Sequence, residues 1–548
     1  MKYKICMAFF FASLLSVNVF ADNYPRNYNI DVQHYKFELK LSDSSDQING
    51  TTTITVKFKK DGITEFRLDL VNKSLTNKGR GMEVESVYSN GLKTPFKHEN
   101  DALLIYLNSA SEKDKLVDFI IKYKGIPAGG LKIGPNKYGE RCFFNENWPN
   151  NTRHWLPTID HPYDKATSEF IVTAPSRYKV VSNGLLMEES KIDAVNTLTH
   201  WKQSVPIASW LFVLGVAEFA VQEVDQFKGK SIQTWVYPKD REAGFKNFST
   251  PTKSVLEFYS NYIGPFAYEK LANIQSPSVS GGMETASAIF YAENLVTGEK
   301  SDRLRNVVIH EIAHQWFGNA VTETSWDDAW LSEGFATYFT LLFQESQYGH
   351  DEYIDGIKKA RKYVIDNYAK DSTFSIVDNR TAETGPVTSG ITYQKGAWVL
   401  HMLRDRMGNE NFKKAIQAYY AKYRNSNATT DNFIAEMEAV AHENLKPFFK
   451  QWLNNPYILK IYGDWAYDTK TKEIKINLRQ TQTSNYVFDV PVEVAIYTSG
   501  NNTPIIKRFN VHDKEAGFTI PNSDQPAFIV IDPRNVLLAD FNFKQKIK

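Results

Sequence analysis

The chain has 548 residues, of which 42% are hydrophobic and 23% are charged, and its formal net charge is +1. This length leaves room for about three domains, and the near-neutral charge argues against a polyanion such as nucleic acid as a partner. After the first 21 residues, no run is long and apolar enough to cross a membrane as a helix.

Residues 1–21 have the pattern of a secretory signal peptide. Lys2 and Lys4 precede an apolar run that ends in Val19-Phe20-Ala21. We expect cleavage near Ala21, which makes the mature protein periplasmic or secreted and leaves no stable membrane insertion. A retained membrane anchor is the alternative. The mature chain keeps only Cys142, so no internal disulfide is expected.

Residues 22–217 are predicted to form an N-terminal β domain. Stretches such as His34–Leu41 and Thr51–Phe58 alternate between polar and apolar residues. Asn-Gly and Asp-Gly pairs between such stretches indicate turns. The pattern predicts an antiparallel sandwich or saddle.

Residues 218–455 carry mostly helical patterns after a small sheet. One helix is predicted over Asp302–Phe317, with Asp302 as its N-terminal cap, and a second over about Asp328–Gln347. Residues 456–548 return to short alternating runs, which predict a small C-terminal β-sandwich. The sequence therefore predicts a multidomain α+β fold.

The first of these helices carries His310, Glu311 and His314. Residues four apart lie on one helix face, so the two imidazoles can share one Zn²⁺. Glu311 can reach a metal-bound water without occupying a ligand position. This H-E-x-x-H arrangement is typical of zinc hydrolases in which the glutamate is the general base.

A catalytic zinc site usually has three protein ligands. One solution places a third histidine in H-E-x-x-H-x-x-G-x-x-H, but Phe317 stands at the glycine position and the next histidine is His350. The other solution is a glutamate on a following helix. Glu333 comes 18 residues beyond His314 among apolar neighbours, where a carboxylate is costly unless it binds a metal. We predict one Zn²⁺ bound by His310, His314 and Glu333.

The His310-Glu311-x-x-His314 motif, followed after 18 residues by Trp-Leu-Ser-Glu333-Gly-Phe-Ala, resembles the M1 family of zinc aminopeptidases. These gluzincins include aminopeptidase N and leukotriene A4 hydrolase. The resemblance implies an N-terminal β saddle, a thermolysin-like catalytic domain and a small β domain. Most members then carry a large helical C-terminal domain, whereas this sequence runs to Lys548 without one.

The run Gly281-Gly282-Met283-Glu284-Thr285 resembles the family's Gly-x-Met-Glu-Asn loop. The resemblance implies that this loop lies along the substrate backbone as an edge strand and that Glu284 holds the free α-amine. Threonine stands at position 285 where the family has asparagine.

Tyr393, in Tyr-Gln-Lys-Gly-Ala, resembles the family tyrosine that donates to the oxyanion. A family glutamine that helps to bind the α-amine is replaced, because ungapped counting places Trp148 at its position. Glu146 or Asn147 can take that role, and we expect Glu146. Asn319 and Asp328 are expected to orient the metal ligands.

Together these residues imply a zinc aminopeptidase that hydrolyses the N-terminal residue from peptides with a free amine. Zn²⁺ activates water, Glu311 is the general base and Tyr393 stabilises the oxyanion. The alternatives are a gluzincin endopeptidase, an epoxide hydrolase like the leukotriene enzyme, and a secreted binding protein on an inactive peptidase scaffold. The oligomeric state stays open.

Overall fold

The computed structural model describes residues 22–368, 375–377, 387–500 and 503–546, so the predicted signal peptide lies outside the described residues. A β region, an α-rich region and a second β region follow one another, and the predicted multidomain α+β fold class is confirmed. The domain boundaries near residues 217 and 455 stay predictions. In the described parts of the chain, every helix is too short or too polar to cross a membrane.

The first region is built from strands that alternate between buried and more exposed side chains. In the strand Ile48–Phe58, the side chains of Ile54, Val56 and Phe58 are buried, and the residues between them are partly exposed. The strands are β1 (Ile30–Lys40), β2 (Ile48–Phe58), β3 (Glu65–Asp69), β4 (Gly81–Ser89), β5 (Leu92–Lys93), β6 (Phe96–Glu99), β7 (Ala102–Tyr106), β8 (Leu116–Ile126), β9 (Leu131–Pro135), β10 (Arg141–Asn145), β11 (Ala166–Pro175), β12 (Lys179–Ser182), β13 (Leu185–Lys191), β14 (Asn196–Ile207) and β15 (Leu214–Ala217).

These strands form an eight-stranded sheet in the order β13-β14-β11-β1-β2-β8-β4-β5, and smaller sheets β12-β15-β10-β9 and β3-β7-β6. The prediction of a purely antiparallel arrangement is wrong at one place. Strand β1 pairs in parallel with β11, with Phe37 opposite Phe170. More than a hundred residues separate the end of β1 from the start of β11, and local alternation does not specify such a long-range pairing.

The second region combines a sheet in the order β16-β17-β18-β20-β19 with helices packed around it. Its strands and helices are β16 (Ala220–Phe227), β17 (Lys230–Val236), α1 (Arg241–Tyr262), β18 (Leu271–Ser276), β19 (Gly282–Met283), β20 (Ala288–Ala292), α2 (Asp302–Ala313), β21 (Val321–Glu323), α3 (Trp330–Tyr348), α4 (His350–Tyr368), α5 (Gly390–Met407), α6 (Asn409–Tyr423), β22 (Ser426–Ala428), α7 (Thr430–Ala441) and α8 (Lys446–Phe449), the last continued by a π-helical turn (Lys450–Asn454).

Helix α2 differs from its prediction at both ends. The cap is Ser301, whose side chain accepts from the Leu304 N–H, and Asp302 is the first helical residue. The helix ends at Ala313 instead of Phe317, because the chain turns back through Gly318, whose φ of +103° suits glycine.

The third region is a pair of sheets, β27-β24-β23-β29 and β26-β25-β28. Its strands are β23 (Leu459–Asp468), β24 (Glu473–Gln480), β25 (Val490–Thr498), β26 (Ile505–Val511), β27 (Glu515–Pro521), β28 (Pro526–Ile531) and β29 (Ala539–Gln545). One connected cluster of buried apolar side chains runs through all three regions.

Lys165, from the first region, is inserted into the second. Its Nζ donates to the carbonyl oxygens of Asn319 at 2.9 Å, Ala320 at 3.0 Å and Ser426 at 3.0 Å. An ammonium group has three donors, so all of them are used. The contact joins the first region to the segment that follows α2.

Candidate metal centre and active site

Helix α2 places the two histidines on adjacent turns. The ring centroids of His310 and His314 are 4.7 Å apart, and their Nε2 atoms are 3.1 Å apart. Glu311 and His314 are buried, and His310 is half-buried. The i, i+4 spacing therefore delivers two imidazole nitrogens to one point in a largely dry site.

The His314 ring is held in one orientation by its other nitrogen. Its Nδ1 lies 3.1 Å from the Phe317 carbonyl oxygen and 3.0 Å from the Ser332 hydroxyl. A proton on Nδ1, donated to that carbonyl, leaves Nε2 as a lone-pair donor facing His310. Ser332 lies in the Trp-Leu-Ser-Glu333 run, but the sequence assigns it no role, and only the fold reveals its contact with the ring.

Glu333 lies on α3, beside the point where α3 and α5 approach each other backbone to backbone. A Cβ built on Gly334 would lie 2.9 Å from the Cα of Gly396, which excludes a larger residue without a shift of the helices. Next to this contact, Glu333 Oε2 lies 3.4 Å from His310 Nε2 and 3.2 Å from His314 Nε2.

These three donor atoms fit one Zn²⁺. The triangle of two Nε2 atoms and Glu333 Oε2 has edges of 3.1, 3.2 and 3.4 Å. A tetrahedral ion with bonds of about 2.0–2.1 Å needs edges of about 3.3 Å. Among the residues that the structure describes, Glu333 Oε2 is buried and has no hydrogen-bond partner, which is costly unless a cation satisfies it.

The charge balance of the site also favours a cation. Donor atoms of Glu284, Glu311 and His314 all lie within 4.8 Å of one another. Burial, joined by the charges of neighbouring carboxylates, raises the pKa of both Glu284 and Glu311. Burial alone would also raise the pKa of Glu333, but the interactions with His314 and His310 together outweigh it and lower that pKa. A divalent ion offsets such crowded negative charge.

The Glu311 carboxyl lies against the glycine loop. A Cβ built on Gly282 would collide with the carboxyl group of Glu311. Glycine at this position therefore lets the loop backbone approach the carboxyl closely. The loop backbone and the candidate base are therefore direct neighbours.

The loop is an edge strand, as the family resemblance implies. In β19, Gly282 pairs with Tyr291 and Met283 with Phe290 of β20. Gly281 precedes the strand and is open to solvent on its side-chain side. In the described part of the chain β19 has no second neighbouring strand, so its outer edge can pair with an extended peptide.

Glu284 directly follows β19, and its backbone is fixed from the α2 side. Its carbonyl oxygen accepts from Gln315 Nε2 at 2.8 Å and from Asn319 Nδ2 at 2.6 Å. The sequence predicts that Asn319 orients a metal ligand, and the structure instead places it on the Glu284 backbone. Gln315, which immediately follows His314, has the same function and was not predicted.

Two other polar residues near the loop serve internal contacts. Thr285 is buried, and its hydroxyl donates to the Ala288 carbonyl at 2.5 Å. The residue that replaces the family asparagine therefore closes the loop on itself. Asp328 accepts from the Thr430 hydroxyl at 2.6 Å, so it joins α7 to the segment before α3 and does not hold a metal ligand.

Tyr393 lies in the first turn of α5, where the Thr392 hydroxyl accepts from the Ser389 N–H at 3.0 Å. The Tyr393 hydroxyl donates to Glu333 Oε1 at 2.7 Å, and the Tyr393 ring stacks at 5.9 Å on the His310 ring. Burial, followed by the Glu333 charge, raises the phenol pKa well above its usual range. The hydroxyl therefore stays protonated as a donor beside the three metal-binding atoms.

Glu146 lies just beyond β10 and is half-buried. Its Oε1 accepts from the Trp148 N–H at 3.0 Å, and burial raises its pKa. Its charge is the smallest of the causes that raise the pKa of Glu284. Trp148, at the position of the family glutamine by ungapped counting, packs edge-on against Trp326 with ring centroids 4.6 Å apart.

A cleft of about 470 Å³ opens beside the cluster. His310, Glu311 and Tyr393 form one wall, and the α3 residues Thr337 and Gln344 lie on another. This volume suits a short stretch of peptide.

Two family models match consecutive parts of the chain. The Peptidase M1 N-terminal domain matches residues 31–211, and the Peptidase family M1 domain matches residues 249–452. Together they cover more than half of the chain. The second match contains the histidine pair, Glu333, Glu284 and Tyr393.

Curated relatives and solved structures agree with these matches. Glutamyl aminopeptidase of Homo sapiens is 30% identical over 418 residues, which is 72% of this chain and 43% of the relative. Probable aminopeptidase 1 of Saccharolobus solfataricus is 27% identical, over 84% of this chain and 58% of the relative. The chain thus spans about half the length of these relatives.

A crystal structure of an M1 zinc metallopeptidase from Deinococcus radiodurans shares the fold. The TM-score is 0.64 at 24% identity, over 79% of this chain and 96% of the other. A second structure, a two-domain M1 zinc metallopeptidase mutant bound to L-tryptophan, gives a TM-score of 0.62, also at 24% identity, over 75% and 91%.

Proposed function

The chain belongs to peptidase family M1, and on that basis we propose that it is a zinc aminopeptidase that removes the first residue of peptides with a free α-amine. One observation carries the proposal: donor atoms of Glu284, Glu311 and His314 lie within 4.8 Å of one another. The α-nitrogen and carbonyl carbon of one residue are about 2.5 Å apart. A substrate whose ammonium pairs with Glu284 therefore brings only its first carbonyl beside the other two groups.

His310, His314 and Glu333 would hold the metal. Bound there, Zn²⁺ supplies Lewis-acid chemistry, which lowers the pKa of water and polarises a peptide carbonyl. The matched Deinococcus radiodurans structure is named a zinc metallopeptidase, which supports this choice of metal. The remaining functions are assigned to side chains and backbone of this chain.

Glu311 is the general base of the proposed reaction. It neighbours His310 in sequence and lies against Gly282, so its carboxyl faces both the metal-binding atoms and the edge strand. There it accepts a proton from the attacking water and then delivers it to the departing amine. The edge of β19 keeps the substrate backbone extended during both transfers.

Tyr393→Phe tests the oxyanion role. We expect kcat to fall by about 10²–10³, because one donor to the developing oxyanion is lost. Zinc content should stay unchanged, since Tyr393 contacts Glu333 Oε1 and leaves Oε2 to the metal. Steady-state rates on an aminoacyl anilide and metal analysis measure both quantities. Tyr467→Phe is the matched control, because it removes a hydroxyl that donates to the Asn522 carbonyl oxygen in the third region. An unchanged kcat in Tyr393→Phe would reject the oxyanion role.

A pair of peptides tests the exopeptidase proposal directly. We expect hydrolysis of a peptide with a free amine, release of its first residue, and no hydrolysis after N-acetylation, because Glu284 then loses its cationic partner. A zinc chelator should abolish the activity and added Zn²⁺ should restore it. Cleavage of the acetylated peptide at internal bonds would indicate an endopeptidase instead. A panel of amino-acid anilides then gives the preferred first residue.

We also propose that the protein is exported, with cleavage near Ala21. The lysines and apolar run of residues 1–21 support this placement. Peptides are the proposed substrates, in line with the aminopeptidase relatives.

A further inference from the structure

Ser287 adopts a left-handed backbone conformation three residues after Glu284. Its φ is +61°, a region that residues with a side chain rarely occupy. Ser287 is fully buried. Such a conformation persists only where surrounding contacts fix it, and it is concentrated at functional sites.

The first β region supplies one set of these contacts. The Gly184 N–H donates to Ser287 Oγ at 2.9 Å, and Asn183 Nδ2 donates to the Ala286 carbonyl at 2.6 Å. Asn183 is itself fixed, because its Oδ1 accepts from the Val213 N–H at 2.7 Å. The turn between β12 and β13 therefore holds the chain just after Glu284 through two hydrogen bonds.

The turn also fits closely against its own region. Gly184 has a φ of +74°, and a Cβ there would collide with the Lys202 carbonyl oxygen. The turn therefore has no room to shift toward β14, and its donors keep a fixed position. A rigid partner of this kind transmits the geometry of one region to the other.

The segment after α2 supplies the opposing contacts. Gln315 Oε1 accepts from the Ser287 N–H at 2.9 Å, while its Nε2 donates to the Glu284 carbonyl at 2.8 Å. One side chain thus spans both ends of the three-residue step from Glu284 to Ser287. Because Gln315 immediately follows His314, the loop is held relative to a metal-binding histidine.

We propose that Asn183 and Ser287 are positioning residues, through which the first β region sets the distance from the Glu284 carboxylate to Glu311 and the metal-binding cluster. They touch neither substrate nor metal. They keep Glu284 from moving away from the metal-binding cluster, so that the bound α-amine and the reacting carbonyl belong to the same, first residue of the substrate. The inference rests on the proposed aminopeptidase function and deepens it.

The test uses Asn183→Ala, Ser287→Ala and Ser287→Gly in the full chain. Glycine accepts a φ of +61° freely, so Ser287→Gly removes the hydroxyl without adding strain. Gln480→Ala is the matched control, because Gln480 is a buried amide with two backbone bonds to Phe488 in the third region. For each protein we would measure kcat and KM on an aminoacyl anilide, rates on free and N-acetylated peptides, zinc content and Tm.

We expect KM for the anilide to rise roughly tenfold or more in the Asn183 and Ser287 variants, because small displacements of a positioning group have large effects. The preference for the free peptide over the acetylated one should fall with it. Zinc content should stay near one per chain. Gln480→Ala should keep both KM and the preference, even if its Tm falls.

Each outcome decides the inference. If Ser287→Gly and Asn183→Ala keep KM and the free-amine preference of the parent, the positioning role is rejected. The role is also rejected if activity falls in proportion to Tm and zinc content in every variant, including the control Gln480→Ala. A parent enzyme that hydrolyses acetylated peptides would overturn the proposed function itself, and this result appears before any variant is made.

Discussion

Glu311→Gln is expected to lower kcat by a factor of about 10² to 10⁴, because an amide cannot accept the proton that a general base removes from water. The side chain keeps its size, so it still fits against Gly282. Zinc content should stay near one per chain, since Glu311 is not among the atoms of the His310, His314 and Glu333 triangle. Rates on an aminoacyl anilide and metal analysis of the same preparation measure the two effects separately.

Glu323→Gln is a matched control for this prediction. Glu323 is a buried glutamate of β21, and burial raises its pKa to about 8. Near pH 7 it is therefore mostly protonated, and glutamine resembles that neutral form. We expect kcat to stay within a few fold of the parent. If Glu311→Gln retains most of its activity as well, the assignment of the base is wrong.

Glu333→Ala is expected to abolish zinc binding at ordinary metal concentrations and, with it, all activity. Loss of a residue that only supports a metal ligand costs about 10- to 100-fold in affinity, and loss of a direct ligand should cost more. The substitution also leaves the Tyr393 hydroxyl without its acceptor. Metal analysis after dialysis, and titration of the stripped protein with Zn²⁺, give the affinity.

Glu345→Gln controls for a changed charge on the same helix. Glu345 lies three turns beyond Glu333 on α3, where it contacts Arg404 and His350 instead of the metal-binding atoms. We expect full zinc occupancy and normal kcat. Tight zinc binding by Glu333→Ala would mean that another carboxylate, such as Glu284, completes the metal site.

The metal-binding cluster could be predicted because its signals are local. Helical spacing places His310 and His314 on one face, and the apolar neighbours of Glu333 leave a carboxylate there with little to do except bind a cation. The fold class followed from the alternation of polar and apolar residues in the two β regions and from the helical patterns in the region between them. These features depend on residues a few positions apart, and sequence periodicity predicts structure over that range.

The contacts around Glu284 could not be predicted in the same way. Asn183 and Ala286 are separated by 103 residues, and neither belongs to a motif. Asn319 was expected to orient a metal ligand, but its amide instead binds the Glu284 carbonyl, because its position depends on how the chain folds back after α2. The predicted cap of α2 was one residue away from the observed cap. Serine and aspartate both cap helices well, so only the backbone conformation decides between Ser301 and Asp302.

Lys165 makes the two stretches of the chain that match family models depend on each other. It belongs to the stretch 31–211, yet all three carbonyl oxygens that it satisfies lie within the stretch 249–452. Recombination that exchanged one stretch between distant relatives would leave either the Lys165 ammonium or the carbonyl oxygens of the buried residues Asn319 and Ala320 without their partners. We therefore expect the two stretches to be inherited together, although a separate family model matches each of them.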